Sequence, residues 1–102
     1  MSVQKINESN FEQVKSQSGV VLLDFYADWC GPCRMMGPIV EEVAQARPDV
    51  LVGKINVDEE PALAAAFGVV SIPTLVVMKE GKVLQSSPGA RPRAQVLAML
   101  DA

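Results

Sequence analysis

The segment VVLLDFYA, residues 20–27, is apolar on both of the faces that a strand presents. Side chains alternate along a strand, so Val20 and Leu22 point one way while Val21, Leu23 and Phe25 point the other. Such a strand must be covered on both sides, which fits the centre of a sheet packed between layers of helix. The rest of the chain has to supply those layers.

It does so by alternation. Val3–Ile6 predicts a short first strand. Ser9-Asn10-Phe11-Glu12 has a capping-box pattern and opens a helix carrying Phe11 and Val14 on one face, stopped by Gly19. A second helix is expected from about Pro32, a good first-turn residue, to about Arg47, with Met36, Ile39, Val40 and Val43 at helical spacing and a kink at Pro38. VLVGKINV, residues 50–57, reads as a strand, and Asp58 as the cap of a short helix from about Glu59 to Phe67 that Gly68 ends. Residues 74–79 and 82–86 flank Glu80-Gly81 as a hairpin, and a last helix starts near Pro92 with Val96, Leu97 and Leu100 inward. The order βαβαβαββα predicts an α/β domain whose mostly parallel sheet gains an antiparallel edge from the hairpin.

At 102 residues this is one domain, 1–102. A net charge of −3 with no Lys/Arg cluster argues against nucleic acid and against a basic membrane-binding surface. Glu41-Glu42 and Glu59-Glu60 read as solvated helix faces or first turns. MSVQKINESN shows neither an apolar leader core nor an Arg-rich amphipathic pattern, and the run Val20–Leu23 is too short to cross a bilayer. A cytoplasmic, reducing compartment and a monomeric state are the resulting expectations. In that compartment the Asn7-Glu8-Ser9 triplet carries no meaning as a glycosylation acceptor.

The only two cysteines are Cys30 and Cys33, separated by Gly31 and Pro32. Chance would give this spacing in roughly one case in fifty, so a purpose is favoured. A structural zinc site needs four ligands, and an iron–sulfur cluster needs as many; with no histidine and no third cysteine the chain cannot assemble either alone. As a staple the pair is poorly placed, because so small a loop contributes only about 2 kcal/mol in the chain-entropy picture. Two inert packed thiols remain a competing reading, but local physics favours a reversible dithiol. Cys30 falls at the start of the second helix, where orphan N–H groups and the positive end of the dipole favour a thiolate. Cys33 lies one turn inside, within reach of a mixed disulfide. Gly31 turns the chain without bulk, and Pro32 fixes φ without adding an orphan N–H.

Asp24 interrupts the apolar strand, and either face tends to bury it. A lone buried carboxylate is costly and its pKa rises, so it should be neutral or paired near pH 7. It is a candidate proton acceptor and donor for the inner thiol; the competing reading is a structural aspartate bonded to backbone. Lys54 is the cation embedded in the run 50–57, placed either to approach Asp24 from an adjacent strand or to snorkel to solvent.

Trp29-Cys30-Gly31-Pro32-Cys33 with Pro38, Lys54, Asp58, Ser71-Ile72-Pro73-Thr74, Gly81 and Gly89 resembles the thioredoxin family along nearly the whole chain. The resemblance implies the thioredoxin fold, a central mixed five-stranded β-sheet flanked by four helices. It implies a general protein disulfide reductase with Cys30 as exposed nucleophile, Cys33 as resolving thiol, and Asp24 with Lys54 as the buried pair tuning it. It further implies a cis Pro73 against a redox-active Cys30–Cys33 disulfide, and a docking surface of Trp29, Gly31, Pro32, Ile72, Pro73, Gly89 and Ala90. No bound cofactor is implied. The partners implied are disulfide-containing target proteins and thioredoxin reductase, an NADPH-dependent flavoprotein, since this chain has no nucleotide-binding fingerprint of its own.

Tyr26, Val70, Ser71 and Pro88 depart from the pattern common in the family. They are expected around the docking rim, where they bear on partner choice and not on sulfur chemistry. Two other activities stay open. One is a thiol oxidase or disulfide isomerase, against which the Gly-Pro pair and the lack of histidine argue. The other is a thioredoxin-like subunit that binds a partner without turnover.

Overall fold

In the structure, a computed structural model that describes residues 3–101, the elements follow in the order β1 (Gln4–Lys5), α1 (Glu8–Lys15), β2 (Val20–Tyr26), α2 (Gly31–Ala46), β3 (Leu51–Asn56), α3 (Pro61–Ala66), β4 (Thr74–Lys79), β5 (Lys82–Pro88) and α4 (Arg93–Leu100). The five strands form one mixed sheet in the spatial order β1-β3-β2-β4-β5. The twice-apolar segment is its central strand: β2 runs parallel to β3 and antiparallel to β4, with Asp24 opposite Lys54 on one side and Leu75 on the other.

Both layers are present. On one face Leu22, Val52, Leu75 and Val77 meet Met36, Val40 and Val43 of α2 and Val96 and Leu100 of α4. On the other, Val21, Leu23, Phe25 and Ile55 meet Val14 of α1 and Leu63 of α3, with Phe67 set edge-on to Phe11 and tilted against Phe25. Val21, Leu22, Leu23 and Phe25 are all essentially buried. At about 2 kcal/mol apiece their burial outweighs the cost of enclosing one polar residue among them. That surplus is what lets the sheet carry Asp24 at its centre.

Several boundaries differ from the sequence expectation. The first helix is capped two residues earlier, by Asn7, whose side chain accepts the amides of Ser9 and Asn10 while the Asn10 side chain accepts the Asn7 amide. Asparagine does both jobs here, so the Ser9-to-Glu12 pattern is not the cap. Asp58 does not cap α3, which starts later behind Glu60; the turn before it is held instead by Asn56, which accepts the amides of Asp58 and Glu59. The assigned helix α2 continues through Pro38. β5 extends to Pro88, and its pairing with β4 is irregular between Val77 and Met78.

Gly53 is a packing requirement that the strand pattern does not announce. A Cβ there would stand 2.5 Å from Ile6 Cγ1 and 3.0 Å from its Cδ1. Ile6 is fully buried and has nowhere to retreat. Gly53→Ala is therefore expected to destabilise the fold by roughly 1–3 kcal/mol, read as a lower midpoint in denaturant titration with an unchanged slope.

Candidate active site

Helix α2 begins at the dithiol. Cys30 is its N-cap residue, with extended backbone, and Pro32 lies in the first turn. The two cysteines are joined as a disulfide with their Cα atoms 5.2 Å apart. The Cys33 amide donates to Cys30 Sγ at 3.2 Å. That N–H is one of the orphan donors of the first turn, so it points at the sulfur that would carry charge in the reduced pair. Cys30 Sγ also lies 3.8 Å from the Ile72 carbonyl oxygen. A disulfide sulfur has no proton to donate there, whereas a thiol would.

Both cysteines are only 5 % exposed, so the outer thiol is as covered as the inner one in this oxidised state. The covering residues are Ala27, Tyr26, Val57 and Ile72. What separates the sulfurs is their surroundings. Cys30 faces the helix N-terminus and the Ile72 backbone, while Cys33 opens onto a cleft of about 280 Å³ that it shares with Asp24, Tyr26, Arg34, Gly37 and Lys54.

Asp24 is 4 % exposed, and its Oδ1 has no hydrogen-bond partner among the described residues. Burial pushes its pKa from the usual 3.8 up to about 7, against a smaller opposing pull from the Lys54 charge. Lys54 is its register neighbour on β3. The ion pairs among the described residues, however, join Lys5 to Glu59 and Arg47 to Asp49 and Asp101, and no Asp24–Lys54 contact is among them. The lysine is half-buried, with Nζ 5.9 Å from the centroid of the Tyr26 ring. Its influence on Asp24 is through space, not through contact.

The remaining residues singled out by sequence gather around the sulfurs. The Ile72–Pro73 peptide is cis, and the Pro73 carbonyl accepts the Gly89 amide at 2.8 Å, which ties the segment bearing Gly89 and Ala90 to this side of the molecule. Trp29 is 67 % exposed, and its indole Nε1–H donates to Asp58 at 2.8 Å. Gly31, Pro32, Gly89 and Ala90 are exposed, and Ile72 is half-buried. Trp29 and Ile72 share an apolar hollow with Val57, Val69, Val70 and Ser71, in which Val70 is almost wholly exposed.

Tyr26 is the departure that the rim expectation misplaces. It lines the Asp24–Cys33 cleft and faces Lys54, because it ends β2 on the side where α2 crosses. Sequence reasoning also missed three supports. Asp58 anchors the Trp29 indole; Arg34 donates twice to the Asp28 carbonyl, tying α2 to the segment before Trp29; and the Arg91 amide donates to Met36 Sδ at 3.3 Å. The first had a trace in the sequence, an acid just past a strand end, but that signal reads equally as a helix cap.

Comparison with known proteins gives a consistent answer. The model of the Thioredoxin family matches residues 2–102. A thioredoxin of Alicyclobacillus acidocaldarius is 46% identical over 93% of this chain and 91% of its own length, and one of Staphylococcus haemolyticus is 44% identical over 99% and 97%. Among solved structures, a point mutant of a Halobacterium salinarum thioredoxin superposes with a TM-score of 0.91 at 39% identity, covering 98% of this chain and 88% of that one.

Proposed function

The chain belongs to the thioredoxin family, and from that premise we propose that residues 1–102 act as a single-domain general protein disulfide reductase working through Cys30 and Cys33. The observation that carries the reading is the disulfide at the start of α2, with the Cys33 amide aimed at Cys30 Sγ and a buried carboxyl sharing a cleft with Cys33.

The chemistry runs in two exchanges. Cys30 thiolate, stabilised by the helix N-terminus, attacks one sulfur of a target disulfide; a new S–S bond forms and the other target sulfur leaves as thiolate. Asp24 takes the proton of Cys33, whose thiolate attacks Cys30 Sγ, releases the second target sulfur and closes the Cys30–Cys33 disulfide. The target gains two electrons and this chain loses two. Lys54 tunes Asp24 at a distance. The exposed Trp29, Gly31, Pro32, Gly89 and Ala90, with Ile72 and Pro73, form the docking surface, and the backbone at Ile72 is available to an extended target segment by strand-like pairing. Val70 makes the Trp29 side of that surface apolar.

The electrons reside in the cysteine pair, so no bound cofactor is required, and recharging falls to a thioredoxin reductase that draws on NADPH. No helix among the described residues is long and apolar enough to cross a membrane. A cytoplasmic monomer is the simplest setting for this activity.

Equilibration in redox buffers, followed by the fluorescence of Trp29, tests the reading. A reductase should poise at about −270 mV, the general value for thioredoxins, and should reduce a disulfide-containing protein when coupled to a thioredoxin reductase. A potential near about −120 mV, or absence of turnover, would move the assignment to an oxidase or a binding subunit.

A further inference from the structure

Helix α2 contains a glycine that its own stability argues against. Gly37 sits in the helix interior, where glycine costs about 1 kcal/mol relative to alanine. No close approach demands it, since a Cβ built there meets nothing within 4 Å, and its φ is not positive. Space and backbone both permit a side chain, yet none is present.

The surroundings supply a reason. Two clefts reach Asp24. The larger, about 280 Å³, is lined by Asp24, Tyr26, Cys33, Arg34, Gly37 and Lys54 among others. A second, about 120 Å³, is lined by Val3, Asp24, Gly37, Val40, Glu41 and Lys54. The three residues common to both are Asp24, Gly37 and Lys54. On α2 Arg34, Gly37 and Glu41 fall at the spacing of one helix face, so Gly37 is the low point between two long side chains. Asp24, which lines both clefts with it, has a buried carboxyl oxygen without a hydrogen-bond partner among the described residues. A buried polar atom in that condition is satisfied by solvent or strongly penalised.

We propose that Gly37 is a positioning residue, holding open the passage through which solvent reaches the Asp24 carboxyl so that it can exchange the proton it takes from Cys33. The inference rests on the reductase reading for its place in the reaction, but not for the contact between solvent and Asp24. The charged and titratable groups around Asp24 are Lys54 from β3, Tyr26 and Asp28 at and beyond the end of β2, and Cys33, Arg34 and Glu41 from α2, while its β4 neighbour Leu75 is apolar. A side chain at position 37 adds or removes none of these charges. Its effect on Asp24 would come through hydration alone.

The test compares Gly37→Leu with Gly37→Ala. Gly37 is exposed and a Cβ added there meets nothing within 4 Å, so the alanine variant should fold and melt at the same or a higher temperature, and the leucine variant, branching from the same open position, should fold as well. Asp24 is followed by isotope-edited infrared or carboxyl-carbon NMR titration. Leucine over the passage strips solvent from the carboxyl and is expected to raise its midpoint by about one pH unit, with alanine intermediate. In single-turnover assays at pH 7 the resolving step should slow about fivefold as the carboxylate fraction falls, and should not slow further when Gly37→Leu is added to Asp24→Asn. An unmoved Asp24 midpoint in Gly37→Leu overturns the proposal, as does an equal slowing in the Asp24→Asn background. Failure of the reductase reading would look different: the unmodified chain would not turn over, while the Asp24 midpoint would still follow the size of residue 37.

Discussion

Cys33→Ser is expected to stop the reaction half-way, leaving Cys30 covalently bound to its target, while Cys30→Ser should form no adduct. Burial cannot make this distinction, because the two cysteines are equally covered. The asymmetry lies in what each sulfur faces. Cys30 Sγ receives the Cys33 amide at the helix N-terminus, an arrangement that stabilises a thiolate without any base. Cys33 faces the Asp24 cleft, so its ionisation depends on a proton acceptor and comes second. Removing either thiol should lower multiple turnover on the order of 10³-fold or more, since exchange needs both members of the pair. Intact-mass measurement after mixing with a disulfide-bonded peptide reads the outcome directly. Adduct formation through Cys33 in Cys30→Ser, at the rate seen for Cys33→Ser, would reverse the assigned order. A double serine variant that still holds a partner protein as tightly as the parent would favour the non-catalytic subunit.

The fold was legible where the sequence pattern states a burial requirement. A strand apolar on both faces demands two helical layers, and residues 20–27 sit at the centre of the sheet with α2 and α4 on one side and α1 and α3 on the other. The helix ends were less legible because several side chains compete for the same orphan amides. Asn7, Ser9, Asn10 and Asp58 are all competent caps, and the winner depends on where the chain enters the helix. Asn7 wins because Asn10 closes the reciprocal bond. Asp58 loses because α3 starts beyond it, behind Glu60, which leaves its carboxylate to accept the Trp29 indole.

The site followed the same division. Two cysteines, one turn apart at a helix start, are a local statement, and the geometry agrees with it. The burial of Asp24 was legible as well, being a carboxyl inside an apolar strand. What was not legible is lateral. That Tyr26 lines the cleft, that Lys54 influences Asp24 without touching it, and that Gly37 lines both clefts that reach Asp24 all depend on how α2 crosses the sheet. No residue spacing along one element encodes that crossing.

Asp24→Asn is expected to stabilise the protein at alkaline pH while slowing the second exchange, a pairing of effects that a purely structural aspartate would not give. Burial holds the Asp24 pKa at about 7 against the usual 3.8. Between those values the folded chain binds a proton that the unfolded chain has released, so stability falls as pH rises. The contribution is fully present below about pH 4, is lost progressively as pH climbs, and is gone above the folded value of about 7. Across roughly three pH units this amounts to about 4 kcal/mol as an upper bound, since solvent reaching the carboxyl reduces it. The asparagine variant has no such slope, so the two stability curves should run parallel below about pH 4, diverge steadily from there to about pH 7, and be fully separated by pH 8, with the variant gaining over the parent throughout. Catalysis should move the other way. Started from a preformed mixed disulfide, the resolving step of the parent should rise with pH to a plateau above about 7, the Asp24 value. In Asp24→Asn it should be roughly tenfold to hundredfold slower near neutrality and climb only at higher pH, as the Cys33 thiol ionises unaided. Stability curves of equal slope in the two proteins would mean that Asp24 is charged in the folded state. Unchanged resolution kinetics would remove it from the proton path, leaving Cys33 to be deprotonated by solvent.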